Sequence, residues 1–328
     1  MALYNLSKIF HPAWFQGNGK HKNYFEGWYF KVVSADSNHT WAFIPGVSFG
    51  KNDSHSFIQV INGMTGQTWY FKYKTDQFSY SRNDFDTIVS GSRFTDSGIT
   101  LQINDGVSDF NGEISFVNSL RYPVKISRPG IMGWYRYVPL MECYHGVVSL
   151  DHGLEGFLII NGAKIDFTGG KGYIEKDWGS SMPKAWIWMQ TNHFEADQTS
   201  FMLSIARIPW LGSAFTGFLG FFLHKGKLYS FATYTGARIT NLQTKGGRVE
   251  VEIQSKEFSI IVKGQTREKH SSDGELKAPM AGEMDRVIHE SINAELMVTL
   301  LDRKGNTLYD GKGRNAGLEL VGEISLLK

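Results

Sequence analysis

The stretch Arg248-Val249-Glu250-Val251-Glu252-Ile253-Gln254 alternates without a break: Val249, Val251 and Ile253 fall on one face, and Arg248, Glu250, Glu252 and Gln254 on the other. A period of two is the signature of a β-strand with one buried and one wet face. Aromatic and β-branched residues recur in short runs between Gly, Asn and Asp: Trp28 to Val33, Trp41 to Phe49, Thr68 to Tyr73, Ile99 to Asn104, Trp186 to Phe194, Ser200 to Ala206, Lys227 to Thr235, Phe258 to Lys263 and Glu295 to Leu301. Runs of this kind predict an all-β chain, an antiparallel sandwich or barrel. The best helical stripe, Met284, Val287, Ile288 and Ile292, predicts one short helix over Glu283 to Ile292. No series of βαβ units is present, which argues against a doubly wound dinucleotide fold.

The chain has 328 residues, a length for two domains or one large one. The glycine-rich stretch from Asn161 to Gly172 is the expected seam, giving domains over 1–165 and 166–328. A formal charge of +2, from 34 basic and 32 acidic residues, supplies no general field for a phosphate backbone, so nucleic acid is not an expected partner. The lone cysteine, Cys143, closes no intrachain disulfide and leaves a zinc site without paired thiolates. With no secretory signal in Met1 to Phe15, the reading is a cytoplasmic protein. The glycosylation patterns at Asn5, Asn38 and Asn52 are then chance matches. The uncharged run Ile208 to Leu223 is too short for a spanning helix and reads as a buried strand behind an apolar loop. Its sharper reading is a peripheral membrane contact. The sequence carries no sign of an oligomeric state.

Among motifs, Gly46, Ser48 and Gly50 match the spacing of a hydrolase nucleophile. The polar loop that follows, Lys51 to His55, is not the helix such a serine requires. The histidines, His145 and His152 included, have no metal-ligand spacing, so no metal is expected. Two denser constellations carry more chemistry. In Phe25 to Lys31, alternation puts Glu26, Trp28 and Phe30 on one face. In Gly172 to Gly179, Tyr173, Glu175 and Asp177 share a face, and Trp186, Trp188, Gln190 and Asn192 line one face of the next strand. Carboxylates beside indoles suit an acid kept protonated near neutrality, because desolvation raises a carboxyl pKa. On spacing alone the favoured reading is a packed core and rim, with the acids paired to Lys31, Lys171, Lys176 or backbone amides.

These same residues carry a resemblance. FEGWYFK at Phe25 to Lys31 and YIEKDWGSSMPKAWIWMQTNHFE at Tyr173 to Glu195 resemble the hallmark segments of the tocopherol cyclase family. Leu276-Lys277-Ala278-Pro279 is similar to a family Leu-Arg-Ala-Pro, and the tail from Ala294 has the family's strand pattern. The resemblance implies two lipocalin-like antiparallel β-barrel domains with few short helices, related to carotenoid hydratase-like and AttH-like proteins. It also implies cyclisation of a prenylated hydroquinone without any cofactor, by protonation of the tail alkene and capture of the tertiary cation by the ring hydroxyl. On that basis Glu26, Glu175, Asp177 and His145 are the catalytic candidates, and Trp28, Tyr173, Trp186, Trp188, Gln190 and Asn192 the substrate-binding ones. The partner is a hydrophobic small molecule, a prenylated quinol or lipid. Plant members carry Asn where this chain has Asp177, and the segment Gly212 to Phe222 is greasier here than there. A non-catalytic lipocalin-like carrier of a lipid or quinone is the alternative.

Overall fold

The computed structural model describes residues 6–210, 212–266 and 274–328; Asn5 and Leu211 lie outside the described residues. It is all-β, with only short 3-10 turns beside the strands among the described residues. Two compact units form: Met1–Asn62 with Gln67–Met182 and Leu276–Ile288, and Gly63–Gly66 with Pro183–Glu275 and His289–Lys328.

Strands of the first sheet are β1 (Tyr24–Val33), β2 (Thr40–Phe49), β3 (Ser54–Asn62), β4 (Thr68–Tyr73), β5 (Phe78–Tyr80), β6 (Asp86–Val89), β7 (Ser92–Thr95), β8 (Gly98–Asn104) and β9 (Asp109–Arg121). After a small ribbon of β10 (Val124–Lys125) and β11 (Arg128–Pro129) come β12 (Cys143–Ile160), β13 (Ala163–Asp166) and β14 (Lys171–Gly179). Pairing runs β4-β3-β2-β1-β14-β12-β9-β8-β7-β6-β5, so the two ends of the path are β4 and β5. Laid flat, those eleven strands would put β4 and β5 about 48 Å apart. Only Lys74–Gln77 joins them, a link that spans at most about 18 Å. The sheet therefore curls into an up-and-down barrel, barrel 1, with first strand β1 against last strand β14.

The second sheet repeats this device. Its strands are β15 (Trp186–Thr191), β16 (His193–Phe194), β17 (Ser200–Trp210), β18 (Ser213–His224), β19 (Lys227–Ala232), β20 (Arg238–Lys245), β21 (Arg248–Gln254), β22 (Phe258–Gln265), β23 (Gly274–Met280), β24 (Glu283–Asp302) and β25 (Thr307–Val321). The path is β19-β18-β17-β15-β25-β24-β22-β21-β20, and the five residues 233–237 join its ends. Barrel 2 thus also closes first strand to last, β15 against β25. Both are lipocalin-like antiparallel barrels. The alternating stretch Arg248 to Gln254 is β21, with Val249, Val251 and Ile253 in the barrel core.

The structure bears on three expectations. Asn161 and Gly162 adopt positive φ in the β12–β13 hairpin, and Gly169 and Gly170 turn the chain into β14, so the glycine-rich stretch is punctuation inside barrel 1. The chain passes between the units at Met182–Pro183 instead. Glu283 to Ile292 is the start of strand β24, not a helix. Met284, Ile288 and Ile292 lie four apart, which keeps one face in either period; Val287, the residue that separates the two, is 56% exposed. Ile208 to Leu223 falls on the β17–β18 hairpin, with Phe218, Phe221, Phe222 and Leu223 buried and Trp210 exposed near its tip. No helix among the described residues is long and apolar enough to cross a membrane.

Candidate active site

The β1–β14 register places Glu26 opposite Trp178, Trp28 opposite Lys176, and Phe30 opposite Ile174. This is the inner face of barrel 1, where Phe30 meets Phe85, Phe94 and Phe116, and Trp28 stacks on Phe85. Glu26 and Lys176 form an ion pair of 2.6 Å with both side chains fully buried. Glu26 also accepts hydrogen bonds from the Gln16 N–H, at 2.8 and 3.0 Å to its two oxygens, and from the Tyr24 hydroxyl. The Lys176 ammonium lies 4.8 Å from the Trp28 ring and 4.7 Å from the Trp178 ring, and donates to the Pro12 and Trp14 carbonyls. Burial lowers its pKa to about 8, against the pull of Glu26 in the other direction.

This saturation changes the reading of two candidates. The Glu26 oxygens are engaged by Lys176, the Gln16 N–H and the Tyr24 hydroxyl. Trp28 already faces the protein's own cation and donates its Nε1–H to the Ala13 carbonyl at 2.8 Å, so its ring is spent on structure.

The opposite face of β14 is different in kind. Tyr173, Glu175 and Asp177 all point outward from barrel 1, as alternation requires, and His145 on β12 sits opposite Asp177. The Tyr173 hydroxyl donates to Glu175 Oε2 at 2.7 Å. His145 Nε2 lies 3.5 Å from the same Oε2, and His145 Nδ1 lies 2.8 Å from Asp177 Oδ1. Tyr173 is fully buried and Glu175 nearly so, while Asp177 and His145 keep partial access. The result is a chain of four proton-carrying groups: Tyr173, Glu175, His145, Asp177. Burial opposes a charge on His145, but the Asp177 and Glu175 carboxylates outweigh it and raise its pKa to about 10. Burial, with the Glu175 charge, pushes the Tyr173 phenol upward. Burial beside Asp177 and Glu142 likewise raises the Cys143 thiol, which makes it a poor nucleophile.

Donor atoms of His145, Glu175 and Asp177 lie within 4.8 Å of one another, a spacing that a metal could use. The two carboxylates, however, address opposite nitrogens of one imidazole.

On barrel 2, β15 carries Ile187 and Met189 into the core and Trp186, Trp188, Gln190 onto the outer face, all buried. Trp186 Nε1–H donates to Glu319 on β25. The Trp188 ring lies over Gly317, where an added Cβ would come within 2.3 Å of it. Gln190 is fully buried with neither its amide nitrogen nor its oxygen hydrogen-bonded. Asn192 follows, also fully buried.

A sequence model described as tocopherol cyclase-like matches residues 120–322, well over half of the chain. The chain belongs to the tocopherol cyclase-like family. A probable chloroplastic tocopherol cyclase of Oryza sativa subsp. japonica is 24% identical over 201 residues, which cover 58% of this chain and 42% of that protein. The chloroplastic tocopherol cyclase of Zea mays is 20% identical over 365 residues, covering 93% of this chain and 76% of the maize protein. Among solved structures, that of CghA with Sch210972 superposes with a TM-score of 0.54 at 10% identity, over 91% of this chain and 89% of the other, a likeness of fold.

In this tocopherol cyclase-like chain the hallmark segment Tyr173 to Glu195 crosses from the last strand of barrel 1 to the first of barrel 2. Of the candidate residues, the structure brings Tyr173, Glu175, Asp177 and His145 into one cluster, and separates Glu26 and Trp28 onto the other face of the same seam. Trp186, Trp188, Gln190 and Asn192 belong to the second unit. Sequence reasoning missed Glu319 and Glu290. Glu319 sits between Leu318 and Leu320, a pattern that reads as the wet side of a strand, and nothing local shows that this side is covered.

Proposed function

We propose that this chain is a cyclase- or hydratase-type enzyme that closes a prenylated hydroquinone, or a related isoprenoid, to a cyclic ether without a cofactor. The observation that supports this reading is the buried relay Tyr173–Glu175–His145–Asp177. The reaction is an isomerisation in which one proton is gained and one is lost. Proton addition to an alkene carbon leaves a tertiary cation; the ring hydroxyl oxygen forms the C–O bond and releases its proton. Catalysis then needs a dry group that gives a proton and a neighbour that takes one back. His145, its charge held by the Asp177 and Glu175 carboxylates, carries the proton, and Glu175, nearly buried, passes it to the alkene and receives the one released at ring closure. Asp177 holds the imidazole by Nδ1, which leaves Nε2 toward Glu175. Tyr173 orients Glu175 through its hydroxyl. The hydrophobic partner, and any membrane contact through the Trp210 hairpin, follow from the same proposal.

A lipocalin-like carrier is the competing reading, and it needs a ligand chamber inside a barrel. The inside of barrel 2 is filled by side chains such as Ile187, Met189, Leu203, Val251 and Leu296, which favours the enzyme. The test is chromanol formation from a prenylated hydroquinone with Glu175→Gln, Asp177→Asn and His145→Gln. Loss of turnover in Glu175→Gln with retained fold supports the relay. Full activity in all three variants, or ligand recovered unaltered from the wild type, overturns it.

A further inference from the structure

The link between β9 and β12 carries a surface unlike the rest of the chain. Residues 121–141 hold four basic side chains, Arg121, Lys125, Arg128 and Arg136, and no acid. Five of the fifteen exposed large apolar side chains among the described residues also fall there: Val124, Ile126, Trp134, Tyr137 and Leu140. Single exposed apolar residues are ordinary, whereas a cluster of them marks an interaction surface. Local structure explains how this cluster stays in water. Ile126 sits at the two-residue tip of the β10–β11 hairpin and is 82% exposed, at a place where turn chemistry favours small or polar residues. Trp134 and Tyr137 lie three apart in the 3-10 turn Gly133–Tyr137, whose geometry eclipses such a pair on one side. The Tyr137 hydroxyl donates to the Ile126 carbonyl, which ties that turn to the hairpin. Arg136, between them, points the other way: it is buried over the Trp178 ring and pins the turn to barrel 1. Leu140 then adopts a φ of +63° with 96% of its surface exposed. A bulky residue in the left-handed region stores strain, and at that exposure no packing within the chain offsets it.

We infer that this lobe, residues 124–140, docks on a lipid bilayer surface that carries anionic head groups. Ile126 and Leu140 enter the acyl boundary, and Trp134 and Tyr137 lie at the head-group level, where rings with one polar end are favoured. Lys125 and Arg128 face the lipid phosphates. The two kinds of residue together define the partner. A protein partner is met by anchors seated in pockets, but these side chains project from a hairpin tip and a tight turn. Basic charge without acid, set beside aliphatic tips, complements an anionic membrane. The β17–β18 hairpin, by contrast, exposes one large apolar side chain among its described residues, Trp210 at 38%. Such docking goes beyond the proposed reaction and needs neither the relay nor any turnover. Its consequence for that reaction is position. The Val138 carbonyl accepts from the Tyr144 hydroxyl at 2.7 Å, and Met132 Sδ accepts from the His145 N–H at 3.2 Å, so the docked lobe holds the relay's histidine close to lipid.

The full chain is mixed with large unilamellar vesicles of phosphatidylcholine, alone and with phosphatidylglycerol, and the bound fraction is read by flotation. Binding is expected with phosphatidylglycerol and should fall as salt rises, while tryptophan emission shifts to the blue. Lys125→Gln and Arg128→Gln should each weaken binding by about fivefold. Ile126→Ser and Leu140→Gly should each weaken it by about tenfold or more. Glycine is at ease at the φ of Leu140, so Leu140→Gly should keep the urea midpoint of the wild type, and its weaker binding then reports a lost contact rather than a lost fold. Trp134→Phe keeps an apolar ring and should remove the emission shift. Absence of binding to the mixed vesicles, wild-type affinity in both Ile126→Ser and Leu140→Gly, or loss of binding in Trp210→Ala alone overturns the lobe. So does self-association in sedimentation velocity that Leu140→Gly abolishes while vesicles stay free, which assigns the surface to a second copy of the chain. Vesicle binding without conversion of a prenylated hydroquinone leaves the surface standing and defeats the reaction; conversion without vesicle binding does the reverse.

Discussion

The closing seams of the two barrels, β1–β14 and β15–β25, have the same topology and opposite chemistry. Inside, barrel 1 holds a buried ion pair, Glu26–Lys176, wrapped by two indoles, whereas the core of barrel 2 is built from apolar side chains such as Ile187, Met189 and Leu318. Outside, barrel 1 bears a relay of titratable groups, and barrel 2 bears indoles, an unsatisfied amide and two facing carboxylates. One architecture thus carries two chemistries: barrel 1 has titratable groups on its outer face, and barrel 2 has indoles and a buried amide there. The lesson is that a β-strand's two faces are independent, so a single strand such as β14 serves the core with Lys176 and the chemistry with Glu175.

The sharpest way to break this division is to move the chemistry. Glu175→Gln should lower turnover by about 10²- to 10⁴-fold, the range of general acid–base catalysis. Steady-state kinetics decide it, and an unchanged kcat in Glu175→Gln would remove the acid–base assignment. Next in size is the interior contrast. Lys176→Met strands the Glu26 carboxylate and should cost about 3–5 kcal/mol in urea unfolding, as removing one partner of a buried pair does. Leu318→Met in barrel 2, a swap within an apolar core, should cost less than about 1.5 kcal/mol. Similar losses for the two would erase the distinction.

A smaller effect tests the flat face. Gly317→Ala places a Cβ 2.3 Å from the Trp188 ring and should cost about 1–3 kcal/mol while shifting tryptophan emission. An unchanged spectrum would mean that the indole does not lie on Gly317. The gentlest probe is pH. His145 has its folded pKa raised to about 10, so the stability it contributes is present below the unfolded value of about 6.5 and fades as pH rises toward 10. The difference in urea midpoint between wild type and His145→Gln should shrink across that window, with a slope of at most about 1.4 kcal/mol per pH unit. His152, buried and with its pKa lowered to about 3, works in the other sense, losing stability as pH falls from 6.5. A stability difference that grows between pH 7 and 10 would refute the relay's charge state.

Much of this was legible in the residues. Alternation put Tyr173, Glu175 and Asp177 on one face and Trp186, Trp188 and Gln190 on another, and both assignments hold in the strands observed. The helix over Glu283 to Ile292 was not legible, because residues four apart keep one face in either period. Glu26 read as a proton donor for an equally physical reason: nothing near it in sequence shows Lys176 or the Gln16 amide, which reach it from 150 and ten residues away. The turn glycines Gly162 and Gly169 read as a seam because a hairpin and a boundary use the same residues.

By itself, then, the order of amino acids determined the strands, their wet and dry sides and the family, since these follow from a two-residue period and local turn chemistry. Tertiary structure alone decided which charges meet. It set Lys176 on Glu26, His145 between two carboxylates and Glu290 against Glu319. Register and barrel closure join residues far apart in the chain, and the energy of a charge depends on the neighbours and the burial that only closure provides.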